Sequence, residues 1–435
     1  MKKTLIALAA VAATSAFAQS TVTVYGQADA AFTSISSTTN KLTGILGAGR
    51  GSNFVGFMGT EDLGGGLKAN FKLEAGYNLD NGTGSATNTN NQPNGGAVVI
   101  LGGTTSHEIV ANPSARPSLG GAQGLTFNRW SYAGVSGGFG EARVGREYTP
   151  TFQAVLSADM TGANGIQNTL FQTLMIGQSQ SPAHATTANA SNGVSYETPR
   201  VSGLQAKVMM FYGETTPGLT STKLQSGKSG DGNSYRIDYT QGPINAGYGA
   251  QKTKGTSVLG LSNADTGVGV AAIPGNYDVT TIYGKYDAGV AIIAVAQVTE
   301  KLNTLGTTAT AKAVAPAAAV VTAAVAGDLK NVSNVIGLRI PMGATTFNAT
   351  YTSSSYTVNG AQTSLAGGKA TQLGLQAIHA LSKRTDVYFN YAVTDNGTEG
   401  TGKVYGIGNG SGRQVFVSNA GDKSSGYQIG MRHNF

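Results

Sequence analysis

The C-terminal stretch decides the fold class, because residues 427–435 read YQIGMRHNF. Apolar side chains alternate there with polar or small ones, and the chain ends on an aromatic residue. A period of two places alternate side chains on opposite faces of a β-strand. The apolar face then comprises Tyr427, Ile429, Met431 and Phe435. The pattern predicts a strand with an apolar medium on one side and water on the other.

The same alternation recurs at residues 67–77, 235–239, 336–340 and 387–391. A soluble β-sandwich also alternates, so the pattern alone does not distinguish the two classes. Three further features favour a transmembrane barrel. The polar face repeatedly carries charge, aromatic residues lie at the ends of the apolar faces, and short connections alternate with long ones. We therefore predict an all-β fold, a sixteen-stranded antiparallel transmembrane β-barrel.

The pattern also predicts where the strands begin. Sixteen starts are expected, near residues 21, 53, 66, 126, 139, 192, 202, 233, 243, 276, 289, 331, 343, 370, 384 and 424. Connections after even-numbered strands are tight, and the longest connections after odd-numbered strands are 78–125, 148–191, 254–275 and 300–330. Both chain ends then lie on the short-turn side, which is the periplasm. The Ala-rich stretch from Ala311 to Ala326 contains Pro316 and predicts a loop with at most a short helical turn.

The first residues have the form of an export signal. Lys2 and Lys3 precede a mostly apolar run over residues 4–13, and residues 16–18 read AFA, which fits a small-residue cleavage site. The apolar run is too short to span a bilayer. Residues 1–18 are therefore predicted to be a cleaved signal peptide and residues 19–435 the barrel, which places the mature chain beyond the inner membrane.

Composition excludes several classes of protein. Charged residues make up 12% of the chain, against about 25% in ordinary soluble domains. The absence of cysteine excludes disulfides and thiolate metal sites. The formal net charge of +7 becomes +5 once Lys2 and Lys3 leave with the signal. This excess is scattered and lacks the basic patch with interleaved aromatic residues that nucleic-acid binding needs, so no nucleic-acid partner is expected.

A set of motifs, each weak alone, is specific in combination. They are Val24-Tyr25-Gly26 with Asp29, residues 59–69 (GTEDLGGGLKA), Asn128-Arg129 with Gly134, Gly145-Arg146 with Tyr148-Thr149-Pro150, residues 381–385 (LSKRT) and residues 430–435 (GMRHNF). Through these motifs, which extend over the whole mature chain, the sequence resembles the trimeric general porins of Gram-negative outer membranes, particularly the beta-proteobacterial type.

The resemblance implies a homotrimer in the outer membrane, in contact with lipid and lipopolysaccharide. It implies insertion by the barrel-assembly machinery, with the apolar residues of the terminal strand, Tyr427, Ile429, Met431 and Phe435, as the signal. The third loop, residues 148–191, would fold into the lumen to make a constriction, where acidic loop residues face wall arginines. Arg129 matches one wall arginine of the family pattern, and Asp159 is the clearest acidic candidate in the loop.

The sequence departs from the family pattern at the constriction. The second strand usually carries an arginine and a lysine where this chain has Phe54 and Met58, and an arginine expected near Ala190 is missing. The transverse field across the pore is therefore expected to be weaker than in a typical relative. Arg50 lies nearby, at the loop end, and is expected to compensate only in part.

Charged residues predicted on the inner wall are candidates for lining the pore. With Arg129, Asp159 and Phe54, the predicted site consists of Asp29, Lys68, Lys72, Glu74, Arg143, Arg236, Asp238 and Arg339. Many of these side chains are expected only to keep the lumen wet and to pair across strands. Arg129 and Arg143 are the preferred selectivity residues, because the fourth and fifth strands should face the infolded loop.

Catalysis and metal or cofactor binding have little support in the sequence. The histidines are His107, His184, His379 and His433, and no serine nucleophile is suggested near any of them. His107-Glu108 lacks further spaced metal ligands. The glycine-rich stretches 47–51 and 227–229 lack the surroundings of nucleotide-binding loops. No enzyme activity, metal or cofactor is expected.

The function expected from this fold is passive diffusion of ions and small hydrophilic solutes through a water-filled channel. The positive excess indicates a weak anion preference if it lines the constriction. Two alternatives remain. A substrate-specific channel would show saturable, ligand-blocked conductance, although the sequence offers no clear aromatic slide. A non-pore surface or adhesion barrel would show no stepwise conductance.

Overall fold

Sixteen strands in the described part of the chain close into an antiparallel β-barrel. The structure, a computed structural model, describes residues 21–38, 41–85, 99–100, 125–174, 188–213, 230–260, 271–304, 309–312, 320–323, 327–360, 368–397, 406–408, 415–417 and 421–435. The barrel strands are β1 (Thr21–Ser37), β2 (Phe54–Gly64), β3 (Leu67–Gly76), β4 (Trp130–Gly137), β5 (Gly140–Tyr148), β6 (Asn189–Glu197), β7 (Leu204–Phe211), β8 (Gly232–Gln241), β9 (Ile244–Gly260), β10 (Ala271–Asp287), β11 (Ile292–Thr304), β12 (Gly327–Met342), β13 (Thr345–Gly360), β14 (Gly368–Ala380), β15 (Thr385–Asn396) and β16 (Lys423–Asn434).

The barrel closes between its last and first strands. β16 pairs with β1 from Gln27–Asn434 to Ser37–Ser424, while the first residues of β1 pair with β2. A short strand, Lys41–Gly47, folds back on the second half of β1. Closure gives the backbone groups of neighbouring strands mutual partners, which a chain crossing lipid requires.

The remaining regular elements lie in the connections. Two short helices, α1 (Pro150–Ala158) and α2 (Leu170–Thr173), lie between β5 and β6. Short strands occur at Val99–Ile100, Ala309–Lys312, Val320–Ala323, Gly406–Gly408 and Val415–Val417. Within the described residues, no helix is both long enough and apolar enough to cross a membrane.

The predicted fold class, a sixteen-stranded antiparallel transmembrane β-barrel, is confirmed, and each strand begins within five residues of its predicted start. The connections after even-numbered strands are tight, and Gly64, Gly65 and Gly66 take φ values of +83°, +62° and +81° in one of them. Three consecutive left-handed residues need glycine, because a Cβ would be strained there. Thr21, the first described residue, and Asn434 lie at the rim of these tight turns, since Thr21 pairs with Thr60 and Asn434 with Gln27.

Three strands begin four or five residues from their predicted starts: β4 at Trp130 rather than near 126, β10 at Ala271 rather than near 276, and β12 at Gly327 rather than near 331. Before β4, residues 125–128 run without strand pairing. The Ala-rich stretch has no helical turn in its described residues, since Ala309–Lys312 pairs with Val320–Ala323 as a hairpin. Threonine in both arms and valine in the second favour this extended pairing over a helix. The residues between the two arms lie outside the described part of the chain.

The outer face of the barrel is apolar and exposed. Ile429 is 57% exposed, and the other residues of the predicted insertion signal, Tyr427, Met431 and Phe435, are exposed on the same face. Large side chains such as Ile282, Ile336 and Phe347 extend this band around the barrel. A continuous apolar surface of this kind is unfavourable in water and matches the hydrocarbon layer of a membrane.

Candidate functional site

The connection between β5 and β6 turns into the lumen immediately after β5. Thr149 caps α1, with its hydroxyl oxygen accepting a hydrogen bond from the Phe152 backbone N–H at 3.2 Å, and Pro150 occupies the first helical turn. Proline at this position removes a donor that would have no helical partner. The motif Tyr148-Thr149-Pro150 therefore ends the strand and starts the helix inside the barrel.

Helix α1 packs on the inner wall of β10 and β11. Phe152 and Val155 lie in one buried cluster with Tyr277, Val279 and Val298. A second cluster joins Ala154 and Ala158 to Tyr283, Ala296 and Val335. Apolar residues on the inner face of a wet barrel would be unfavourable, and the helix covers them. This packing holds the connection against one side of the lumen.

Residues 159–168, which follow the helix, continue along the inner wall towards the closing strands. The Met160 carbonyl accepts from Arg339 Nη2 at 2.6 Å, and the Asn168 carbonyl accepts from Gln372 Nε2 at 2.8 Å. The Ile166 N–H donates to Gln428 Oε1 at 3.0 Å. We refer to residues 149–174 as the infolded segment. Because its contacts follow β8 to β16, it narrows the passage to the space beside the wall of β2 to β5.

Asp159 pins the turn of the infolded segment. Its carboxylate accepts from the Thr161 N–H, the Thr161 hydroxyl and the Ala163 N–H, each at 2.7 Å. Burial raises the pKa of this carboxyl above its ordinary value, while these hydrogen bonds and the charge of Arg339 act in the opposite direction. Asp159 is buried, so its carboxylate is directed into the segment rather than into the passage.

The passage side of the infolded segment carries no charge among its described residues. Its partly exposed residues are Gln153, Leu156, Ser157, Ala163 and Asn164, with Gly162 exposed. The charged groups beside the passage therefore belong to the barrel wall, including the wall of β2 to β5 opposite the segment.

Glu74 is the centre of that opposite wall. Its carboxylate accepts from Tyr25 Oη at 2.8 Å and pairs with Lys72 Nζ at 2.8 Å and Arg129 Nε at 3.0 Å. Arg129 also donates to Tyr148 Oη at 3.2 Å, and its guanidinium lies 5.0 Å from the centre of the Phe54 ring. Phe54 therefore lies on the inner wall, in contact with the arginine that matches the family pattern.

A second network surrounds Glu147. Arg143 Nη1 lies 3.1 Å and Lys207 Nζ 2.6 Å from Glu147 Oε2, and the Ser195 hydroxyl donates to the other oxygen. Arg143 also pairs with Glu141. Lys207 is only 1% exposed and Glu147 only 3%, so this ion pair is buried in the wall.

The remaining predicted residues are distributed around the lumen. Arg236 pairs with Asp238 and donates to Gln153 of the infolded segment at 3.0 Å. Asp29 is buried and accepts from the backbone N–H groups of Gly49, Arg50 and Gly51, and from the Tyr388 hydroxyl. Asp29 thus anchors the turn before β2. Lys68 lies near the periplasmic rim, exposed.

Arg50 lies in a third network of ion pairs, separate from those of Glu74 and Glu147. It pairs with Asp386, which also binds Arg432 Nη2 at 2.7 Å. Arg50 therefore faces the closing strands, and its charge is shared with an acidic partner there.

In most of these ion pairs, the side chain of the cation is more exposed than that of the carboxylate. Lys72 is 25% and Arg129 21% exposed, against 4% for Glu74. Arg143 is 17% exposed, against 3% for Glu147. Arg50 and Arg432 are each 21% exposed, against 8% for Asp386. The pairs involving Glu141 and Glu197 reverse this order, and so does the buried Lys207–Glu147 pair. Water in the passage therefore meets guanidinium and ammonium groups before carboxylates over much of the wall.

Sequence reasoning missed four residues of this site: Tyr25, Trp130, Glu147 and Lys207. No local signal marks Lys207 as a partner of Glu147, because the ion pair joins positions 60 residues apart.

Ala190, where an arginine was expected, lies in a buried cluster with Met209 and Phe211. Met58 lies opposite Lys72 on the neighbouring strand. His379 and His433 are exposed, each hydrogen bonded to a threonine. The described residues contain no group of three side chains suited to hold a metal ion.

An apolar outer band, a closed antiparallel ladder and a narrowed polar lumen define an outer-membrane channel. The chain belongs to the Gram-negative porin family, whose model matches residues 4–399. It is an outer-membrane porin that forms a transmembrane channel.

Several known proteins are similar to the chain. It is 29% identical over 446 residues to outer membrane porin protein 32 of Delftia acidovorans, with complete coverage of both chains. It is similar to the solved structure of an anion-selective porin from Comamonas acidovorans, with a TM-score of 0.68, 25% identity, and coverage of 96% of this chain and 100% of that one. OmpT of Vibrio cholerae shares the fold, with a TM-score of 0.60, 15% identity, and coverage of 96% and 98%.

Proposed function

We propose that this porin passes ions and small hydrophilic solutes by diffusion, with a weak preference for anions and no catalysis. The order of exposure in the wall ion pairs carries the proposal, because cations face the passage while most of their carboxylate partners lie behind them. The neutral passage side of the infolded segment adds no acidic counter-charge. The similarity to the Comamonas porin, which is described as anion-selective, agrees with this direction.

Zero-current potentials in a KCl gradient across planar bilayers test the selectivity. For a tenfold gradient, the potential should lie on the chloride side of zero, well short of the full value of about 59 mV. A potential on the potassium side would contradict the proposal. The absence of stepwise conductance would favour the non-pore barrel instead.

Replacement of Phe54 by arginine should strengthen the anion preference. A second guanidinium would then lie beside Arg129 on the wall of β2 to β5, where Glu74 already pairs with two cations. We expect the zero-current potential to move towards the chloride value by on the order of 10 mV in a tenfold gradient. Phe54→Gln, which adds no charge, is the control and should leave the potential near that of the wild type. An unshifted potential in Phe54→Arg would show that residue 54 does not face the permeating ions.

Replacement of Glu74 by glutamine should act in the same direction. Lys72 and Arg129 would lose the carboxylate that balances them, while the amide oxygen could still accept a hydrogen bond. Asp395→Asn is a matched control, since Asp395 also pairs with a lysine at 2.8 Å, but on the outer face of the barrel. We expect the Glu74 variant alone to show a larger chloride-to-potassium permeability ratio. Equal chloride-to-potassium permeability ratios in both variants would show that Glu74 does not contribute to the ion selectivity.

We also propose that residues 1–18 are a cleaved signal peptide and that residues 148–191 form the constriction loop. N-terminal sequencing of the native chain should then begin at Gln19. A homotrimer is proposed as well, supported by small residues such as Ala28 and Ala30 at outward positions of β1, where neighbouring copies could approach closely. A native particle with the mass of one chain would contradict the trimer.

Outer-leaflet lipopolysaccharide and the assembly machinery are the proposed cellular partners. Lys252, Lys301 and Lys330 are exposed on the outer face at one level, near the long-loop end, with Asp278 between the first two. Such a row suits lipid phosphate groups. Added lipopolysaccharide should raise the unfolding temperature of the native barrel, and should raise it less after these lysines are replaced by glutamine.

Removal of Phe435 should lower the amount of chain inserted by the assembly machinery in vitro.

A further inference from the structure

Aromatic side chains cluster on the wall of the passage that the infolded segment leaves uncovered. Tyr25, Phe54, Trp130, Tyr132 and Tyr148 come from strands β1, β2, β4 and β5, and each is half-buried. The ring centres of Tyr25 and Phe54 are 5.7 Å apart, and Trp130 lies 5.8 Å from Tyr132 and 4.9 Å from Tyr148. All three pairs meet edge to face, a favoured arrangement for aromatic rings. We call these five residues the aromatic wall.

Cations are interleaved with the rings of the aromatic wall. Lys72 Nζ lies 4.5 Å from the centre of the Trp130 ring and 5.7 Å from that of Tyr25. The guanidinium groups of Arg129 and Arg143 lie 5.0 Å and 4.9 Å from the rings of Phe54 and Tyr132. These three cations are the exposed partners of buried carboxylates. The wall thus presents ring surface and positive charge together.

The aromatic wall differs from the rest of the inner surface. On β10 and β11, apolar inward residues are covered by helix α1. From β13 to β16, a row of hydrogen-bonded amides lines the wall, namely Asn348, Gln376, Asn390 and Gln428. Four of its rings lie across the passage from the infolded segment, and Tyr148 connects the two, because its ring centre lies 5.1 Å from that of Phe152 in helix α1. Ring surface facing water in a channel costs free energy unless a solute covers it in transit.

We propose that the aromatic wall is a binding site for aromatic carboxylates of the benzoate class. The solute ring would lie against Phe54, Tyr25 and Trp130, and its carboxylate would meet Lys72 and Arg129. A neutral aromatic solute would lack the charge contact, and an aliphatic carboxylate would lack the ring contact. This inference rests on the proposed anion-preferring channel and adds the solute class that the channel retains longest. Binding must stay weak enough for release, as permeation requires.

Block of single-channel KCl current tests the proposal on the wild-type mature chain, without any variant. Sodium benzoate should reduce the current saturably. Sodium cyclohexanecarboxylate, which has the same charge and a similar size but no aromatic ring, should need an at least threefold higher concentration for half-block, since aromatic pairing adds beyond area burial. Sodium acetate and benzyl alcohol, which each lack one of the two contacts, should block least. Equal half-blocking concentrations for benzoate and cyclohexanecarboxylate would overturn the proposal.

Variants locate the site on the wall. Phe54→Leu keeps an apolar side chain but removes the ring, and should bring the half-blocking concentration of benzoate close to that of cyclohexanecarboxylate. Phe347→Leu is the matched control, because Phe347 is exposed on the outer face and should leave the block unchanged. Lys72→Gln should weaken block by both carboxylates. Block that is unchanged in Phe54→Leu and Lys72→Gln would place the site elsewhere and overturn the assignment.

The failure of this inference is distinguishable from failure of the proposed function. The zero-current potential in KCl reports the anion preference with no aromatic solute present. A chloride-side potential without ring-dependent block overturns only the solute class. A potassium-side potential overturns the anion preference on which the solute class rests.

Discussion

Replacement of Lys207 by methionine is expected to lower the free energy of unfolding by about 3 kcal/mol, the lower end of the cost of breaking a buried ion pair. The ammonium group lies 2.6 Å from Glu147 Oε2, and both side chains are almost completely buried in the inner wall. Methionine fills a similar volume but leaves Glu147 with Arg143 as its only close cation among the described residues. Equilibrium urea unfolding of the barrel refolded into lipid vesicles measures the change.

Lys423→Met is the matched control for this loss. Lys423 pairs with Asp395 at 2.8 Å, yet the two side chains are 69% and 45% exposed, so water solvates both groups. Exposed ion pairs contribute little to stability, and the control should lose less than half as much as Lys207→Met. A Lys207 loss no larger than that of the control would show that burial does not decide the strength of this pair.

A double variant separates charge from packing at the same site. Adding Glu147→Gln to Lys207→Met removes the excess negative charge and leaves Arg143 paired with Glu141. The double variant should therefore be more stable than Lys207→Met alone. If it is less stable, lost packing rather than an unbalanced carboxylate explains the single variant.

The strands were predictable from the sequence because their pattern is local. Each inward or outward residue is set by its two-residue period, and membrane and lumen impose opposite polarity on the two faces. The same locality explains why the hairpin in the Ala-rich connection was not predicted. Alanine favours a helix in isolation, but pairing between Ala309–Lys312 and Val320–Ala323 decides the outcome, and pairing is not local.

The site was predictable only in part, because its contacts join distant segments. Glu74 and Arg129 are 55 positions apart, and the Tyr388 hydroxyl reaches Asp29 across 359 positions. One signal for the infolded segment was present but unused. Several inward positions of β10 and β11 are apolar, such as Tyr277, Val279 and Val298, although a water-filled lumen favours polar side chains. That pattern indicates a strand covered on its lumen side as well.

Replacement of Asp159 by alanine is expected to raise the single-channel conductance and the size limit for sugars. The carboxylate accepts three hydrogen bonds within the turn that follows α1, from Thr161 and Ala163, and alanine leaves these buried donors without it. Released from this turn, the infolded segment would pack less closely on the wall and widen the passage. Conductance in KCl and liposome swelling with sugars of increasing size measure the effect.

Asp159→Asn distinguishes a structural role, in which the carboxylate holds the turn, from an electrostatic role, in which its charge acts on permeating ions. Asparagine keeps one acceptor oxygen but has no charge. A structural role therefore predicts conductance between that of the wild type and that of Asp159→Ala, with a small change in the zero-current potential. A carboxylate that acts on permeating ions predicts a large shift towards chloride in Asp159→Asn at unchanged conductance. Because Asp159 is buried and its oxygens are engaged by the segment's own donors, we expect the first result. The second would return Asp159 to the acidic role that the family pattern implies.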